Sequence, residues 1–330
     1  MKFKFNPIIF KIQKRGGIST LWRSLMGLDN PNKFNQSYDY DNFLSEKIIT
    51  CKASRIVFAN KNEFYLNSYH TIKLGPGLSI SVCHDLMEER KVGLIAFLKR
   101  IYIYMAYLTA NKVVCISEKT IQEFSKVYPK LAHKCCLIPN PLPYNFTESR
   151  YKICQNIQRK SLYFLYVGNR SGEKNFEDGL KALSNSMIKN FRIICVGNKF
   201  TEKENKIWKP LIDKNQLVCL ENISTEKLIN LYRISDFLFL PSRDEGFGFP
   251  IIEALCLGTP LLIIHPKAAS IVDSNCYFIL QSTTNFKDLY DYLQNWVNFA
   301  PKISEKIRTK FSLNLIKSKY REQILDLLNY

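Results

Sequence analysis

Six short apolar runs separated by helix-length segments constrain this chain more than any other feature. Leu78–Cys83, Val113–Ile116, Leu162–Val167, Phe191–Val196, Phe237–Leu240 and Leu261–Ile264 are each of strand length, and several are apolar throughout rather than alternating. A strand that is apolar on both faces has to be covered on both faces, which is the condition of a parallel sheet crossed by helices. The pattern predicts an α/β protein built from βαβ units. At 330 residues, 46% of them hydrophobic, the chain can bury two such cores. Proline and polar residues concentrate in LIPNPLPYNFTESR, residues 137–150, and a new strand begins near Ser161, so the boundary is expected near residue 155. This gives domains of 1–155 and 156–330.

Composition narrows the setting. The formal net charge is +18, and residues 1–155 carry 23 Lys/Arg against 11 Asp/Glu, net +12, while the remainder carries net +6. A basic half suits phosphorylated ligands, an anionic membrane surface or nucleic acid, and it is also what a Lys-rich composition gives with no partner at all. Ten cysteines include no C-x-x-C pair, and those inside apolar runs read as small hydrophobes in a reducing, cytoplasmic setting. The basic N-terminus has its apolar run broken by Asn6 and Pro7, and no signal peptide is read there. The apolar tract Val92–Ala110 holds Lys99 and Arg100 at its centre, which reads as a packed domain helix rather than a span.

The stretch FLFLPSRDEGFGFPIIEALCLGTPLLII, Phe237–Ile264, carries the chemistry. Phe237–Leu240 is a strand, Pro250 fits a first helical position and Gly258 fits a helix end, so SRDEGFGF is a loop entering a helix N-terminus. Loops at the carboxyl ends of parallel strands bind ligands, and helix N-termini offer free N–H groups to phosphate. Gly246 and Gly248 let the backbone approach, with Phe247 and Phe249 between and after them, and Glu245 and Glu253 flank the turn. Acids in a helix first turn are also common because the dipole favours them. Upstream, FLYVGNRSGEKNFEDGLKAL ends a strand at Gly168 and places Arg170 and Lys174, followed by Asn175, at a sheet's carboxyl edge, where cations can neutralise a departing diphosphate.

Together, Glu245-x7-Glu253 around GFGFP and the Gly168, Arg170, Lys174-Asn175 cluster closely resemble the E-x7-E region and phosphate site of retaining GT-B glycosyltransferases. Fainter resemblances lie in KIQKRGGISTLWRSL, with Gly16 and Gly17, in SVCHDLMEER, with His84, and in NKVVCISEKTIQEF. FSLNLIKSKYREQILDLL resembles the family's last helix, so residues 313–330 are expected to return to the N-terminal domain. The sequence departs from the pattern where HPKAASIVDSN lacks an acidic residue, where IPNPLP replaces Asn-Gly and where Leu313 replaces Trp.

The resemblance implies two Rossmann-like domains facing across a cleft, and a retaining hexosyltransferase drawing on a GDP- or UDP-linked sugar. The acceptor would be a glycan or a lipid-linked one, in polysaccharide or lipid-linked oligosaccharide synthesis. By the same resemblance Glu253 would hold the ribose, and Glu245 with the loop N–H groups of 246–249 the sugar. Arg170 and Lys174 would stabilise the diphosphate, and His84 would stand near the transferred sugar. Gly16-Gly17 either lets backbone approach a ligand or marks a turn. No metal or cofactor is expected. Asp39-Tyr40-Asp41 has the D-x-D spacing of a metal site but sits in a polar connection without a preceding strand, and is assigned to loop chemistry. The rival reading is a non-catalytic GT-B-like module or a basic ligand- or nucleic-acid-binding one; no nucleic-acid-binding signature supports the latter. With a lipid-linked acceptor, Arg90, Lys91, Lys99 and Arg100 would help hold the protein peripherally on an anionic bilayer.

Overall fold

The computed structural model describes residues 2–12, 17–26, 48–86, 89, 92–149 and 161–328. Contacts divide the chain into two units, residues 1–143 with 311–330, and residues 144–310.

The first unit holds strands β1 (Lys2–Phe5), β2 (Ile48–Thr50), β3 (Ile56–Phe58), β4 (Glu63–Ser68), β5 (Ile72–Leu74), β6 (Leu78–Cys83), β7 (Lys112–Cys115) and β8 (Cys135–Leu137). Six of them form one parallel sheet in the order β2-β1-β4-β6-β7-β8, and β3 and β5 pair separately. Helices α1 (Ile8–Ile12), α2 (Gly17–Met26), α3 (Leu94–Thr109) and α4 (Glu118–Val127) connect them. Buried Asn6 fixes the exit from β1. Its Nδ2 donates to Ser54 O at 2.6 Å and Thr71 Oγ1 at 3.0 Å, and its Oδ1 accepts from the Ile8 and Ser54 N–H groups.

The second unit opens with α5 (Tyr144–Glu148) and alternates β9 (Leu162–Val167), α6 (Phe176–Asn185), β10 (Phe191–Val196), α7 (Glu202–Asp213), β11 (Leu217–Leu220), α8 (Thr225–Ile234), β12 (Phe237–Leu240), α9 (Phe249–Cys256), β13 (Leu261–Ile263) and β14 (Tyr277–Ile279), ending in α10 (Phe286–Lys310). Its parallel sheet runs β11-β10-β9-β12-β13-β14. Strand order therefore reverses between β9 and β12, leaving a crevice outside their carboxyl ends where such sheets take ligands. Phe164, Phe176, Phe237, Phe239 and Trp208 pack the core, with Phe176 edge-on to Trp208 at 5.3 Å.

The divide falls at 143/144, ahead of the boundary near 155 that the proline-rich segment suggests. Arg308 is the physical cause: its guanidinium donates to Phe146 O, Thr147 O and Ser149 O and also to Cys256 O at the end of α9. Phe146 lies edge-on to Tyr232 of α8 at 5.9 Å. The last helix, α11 (Leu313–Leu328), joins the first unit as expected. It buries Ile316, Tyr320 and Ile324 on one face, and Lys112 of β7 donates to Gln323 Oε1 at 2.8 Å.

Candidate active site

Two loops meet at the crevice of the second sheet. The β9 strand ends at Val167 and turns through Gly168 at φ 133°, a backbone that side-chain-bearing residues rarely adopt, although a Cβ there would meet open space. A 3-10 turn over Gly172–Lys174 follows. Asn175 then takes a left-handed conformation at φ 52° and opens α6. The β12 strand ends at Leu240 and passes through Pro241 and Ser242 to Glu245 and the glycine-aromatic turn. Gly248, at φ 71°, caps α9; that backbone strains a side-chain-bearing residue, and a Cβ there would also push Ile251 Cδ1, 2.6 Å away, aside. Phe247 is buried and edge-on to Phe249, their centroids 5.2 Å apart.

These loops are tied together by one ion pair. Lys174 Nζ lies 2.7 Å from both Oε1 and Oε2 of Glu245, with the Glu245 side chain 9% exposed and that of Lys174 34% exposed. Ser242 Oγ donates to Glu245 Oε1 at 2.7 Å, and Arg243 N–H donates to Glu173 O at 3.0 Å. Asn175 Nδ2 donates to Pro241 O at 3.3 Å and lies 3.5 Å from His265 Nε2, just beyond β13.

Glu253 stands in α9, half-buried, and Tyr232 Oη donates to its Oε2 at 2.8 Å. Burial pushes its carboxyl up to about 7, the Tyr232 hydrogen bond opposing. A carboxyl so placed can accept from, or donate to, a pair of hydroxyls near neutrality.

Arg170 is placed differently from the sequence expectation, which grouped it with Lys174. Its Nε and Nη2 reach Glu204 at 2.9 and 3.1 Å, Nη1 donates to Asn198 O and Nη2 to Lys199 O. The guanidinium lies over Phe200, 4.9 Å from its centroid. Glu204 is at the same time the third residue of the Thr201 capping box that starts α7. Nearly every donor of this fork is engaged within the protein, so the side chain clamps the loop after β10 while Lys174 remains the cation beside Glu245.

In the first unit, His84 follows β6 and is 4% exposed. Its Nε2 finds no hydrogen-bond partner among the described residues. Burial, aided by charge on His70, pushes its pKa down to about 3, so the ring is neutral. Gly17 opens α2. Gly16, Asp39, Asp41, Arg90 and Lys91 lie outside the described residues.

Sequence reasoning missed Ser242, Tyr232 and His265. Ser242 and His265 sit at strand ends, a signal available from Phe237–Leu240 and Leu261–Ile264; Tyr232 lies mid-helix in α8, where nothing marks it.

Comparison with known proteins matches residues 149–306 to the family "Glycosyl transferases group 1". The O-antigen chain mannosyltransferase RfbU of Salmonella typhimurium is 27% identical over 68% of this chain and 61% of that protein; this chain thus spans less than two thirds of that relative. Among solved structures, the lipopolysaccharide outer core galactosyltransferase WaaB superposes with a TM-score of 0.61 over 99% of both chains at 14% identity. Alr3699/HepE of Anabaena, solved with UDP and glucose, superposes with a TM-score of 0.58 over 77% of this chain and 72% of its own at 17% identity. The chain thus has the GT-B fold, and the part that matches glycosyl transferases group 1, residues 149–306, includes both loops of the crevice.

Proposed function

We propose that this protein is a retaining hexosyltransferase that moves mannose or a similar hexose from a nucleotide-sugar to a glycan acceptor in polysaccharide or lipid-linked oligosaccharide synthesis. The observation that carries this reading is the Lys174–Glu245 pair at the strand-order reversal, with the N-terminus of α9, which no side chain caps, following Glu245. A diphosphate bound at this crevice takes Lys174 as its cation and the helix N-terminus as its dipole, which stabilises the charge that develops as the sugar departs. Glu245, released from Lys174, is then an acceptor for sugar hydroxyls, and Glu253 for the ribose. UDP and glucose in Alr3699/HepE and the mannosyltransferase name of RfbU support a nucleotide-sugar donor and leave GDP and UDP as the nucleotides to compare. Where the acceptor is lipid-linked, the enzyme works at an anionic bilayer on the cytoplasmic side.

The deciding experiment is a panel of GDP- and UDP-sugars, scored for thermal stabilisation of the protein and for release of nucleoside diphosphate. One donor should stabilise and turn over, since ligand at a hundred times Kd adds about 2.7 kcal/mol. Stabilisation without turnover for every donor, with acceptor extracts present, would point to the non-catalytic module instead.

A further inference from the structure

Helix α3 presents an apolar tip that stands exposed among the described residues. Val92 is 94% exposed, Leu94 and Ile95 74% each, Leu98 57%, Phe97 51% and Ile101 46%. Farther along, the same helix is anchored normally, with Ile103, Ala106 and Tyr107 buried against β6, β7 and α4 side chains such as Cys83, Val113 and Phe124. Apart from Leu108, 40% exposed near the other end, the exposed leucines and isoleucines of the helix lie in its first two turns. A contiguous apolar patch of this kind on a folded protein marks an interaction surface.

Charge selects the occupant. Between Val92 and Lys112 the sequence contains no acidic residue, while Lys99 and Arg100 lie among the apolar positions. Arg100 is half-buried, its guanidinium 6.0 Å from the Phe97 ring centroid. Pairing with a second copy across a two-fold would oppose like charges with no carboxylate on the helix to meet them. A bilayer with anionic headgroups offers both partners at once, hydrocarbon for the apolar side chains and phosphate for the cations.

We infer that the first two turns of α3 insert into the headgroup region of an anionic bilayer, with Leu94, Ile95, Phe97 and Leu98 entering the acyl boundary and Lys99 and Arg100 facing lipid phosphate. This deepens the lipid-linked reading of the acceptor and rests on it for purpose, but its evidence is separate from the donor site. Among the described residues no helix is long and apolar enough to cross a membrane, so the contact is interfacial.

The test uses the full chain with vesicles of phosphatidylcholine, with and without phosphatidylglycerol. Wild type should sediment with the anionic vesicles and scarcely with the neutral ones, and part of the binding should survive salt that screens the charges. The Leu94→Ser/Ile95→Ser/Leu98→Ser variant, altered only at exposed positions, should keep its melting temperature and lose ten-fold or more in vesicle affinity. Phe97→Trp should show a blue-shifted emission on anionic vesicles. Equal binding by wild type and the triple variant would overturn the inference, as would dimerisation of wild type that the triple substitution abolishes, or RNA displacing the protein from vesicles without any effect of the apolar substitutions. Release of nucleoside diphosphate from soluble donor, measured alongside, tests the transferase reading independently: its absence would sink that reading and leave the vesicle result standing.

Discussion

Lys174 Nζ is equidistant from the two carboxylate oxygens of Glu245, 2.7 Å from each, and Ser242 holds one of those oxygens from the other side. The cation proposed for diphosphate is thus already neutralised by the carboxylate proposed for sugar, and a donor must separate them. Lys174→Ala should weaken nucleoside diphosphate binding by about ten- to a hundred-fold, the worth of a charge-assisted contact of about 1.5–3 kcal/mol. Glu245→Gln should have the opposite sign on the nucleotide, tightening nucleoside diphosphate by freeing Lys174, while lowering turnover. Calorimetric titration of both variants checks this; equal weakening by both would mean that the pair serves only the loop structure.

Glu253 supplies a pH signature. Its carboxyl is pushed up to about 7 by burial. Its folded-state value lies above its unfolded one, so this group's stabilising contribution is complete below the ordinary carboxylic range and is lost as pH rises through about 7. Nucleotide affinity should move the other way, strengthening over the same interval as the carboxylate becomes a full acceptor for hydroxyls. Glu253→Gln should bind nucleotide more weakly at pH 8 and flatten both profiles, which paired thermal and binding titrations from pH 5.5 to 8.5 would reveal.

How far the sequence discloses this arrangement depends on how each strand is buried. Leu162–Val167 and Phe237–Leu240 are read to the residue because their apolar runs are continuous, and Phe191–Val196 because Arg192 is the one polar residue in its run. β4 escapes notice although all six of its residues are buried, since Glu63, Asn67 and Ser68 break the run. Glu63 is tolerated there because Lys4 of β1 meets it at 2.5 Å, a partner nearly sixty residues away that no local pattern shows. The same limit governs Arg170. Its position after β9 is legible, but the carbonyls of Asn198 and Lys199 and the carboxylate of Glu204 come from the next βα unit.

Arg170 is expected to matter more to folding than to the donor. Its side chain is 6% exposed and Glu204's 20%, so removing the guanidinium strands a shielded carboxylate and two backbone carbonyls, those of Asn198 and Lys199. Arg170→Ala should cost about 3 kcal/mol, the lower range for breaking a shielded pair, or roughly 6–12 °C in unfolding midpoint for a unit of this size. The Arg170→Ala/Glu204→Gln pair should recover part of that loss. A large drop in nucleotide affinity with an unchanged midpoint would return Arg170 to the diphosphate site.

Activity should persist in EDTA, because Lys174 and the N-terminus of α9 supply the positive potential that the leaving diphosphate requires. Loss of turnover in chelator, restored by Mn²⁺ or Mg²⁺, would move attention to Asp39 and Asp41.

His84 poses the sharpest choice between structure and function. Its Nε2 is buried without a hydrogen-bond partner among the described residues, an arrangement that costs about 1–3 kcal/mol and that packing alone gives no reason to keep. With its pKa pushed down to about 3, the ring is neutral throughout the working range and can offer one donor and one acceptor without carrying charge. Its carbon-bound proton signals should accordingly show no titration between pH 5 and 8. If the unpaired nitrogen is held for a substrate hydroxyl, His84→Leu should leave stability equal or higher, by up to about 1 kcal/mol, because an apolar side chain suits the site better. Turnover with acceptor should then fall by ten-fold or more while nucleoside diphosphate affinity stays the same. A destabilised variant with normal turnover would instead assign the histidine to the core of the first unit.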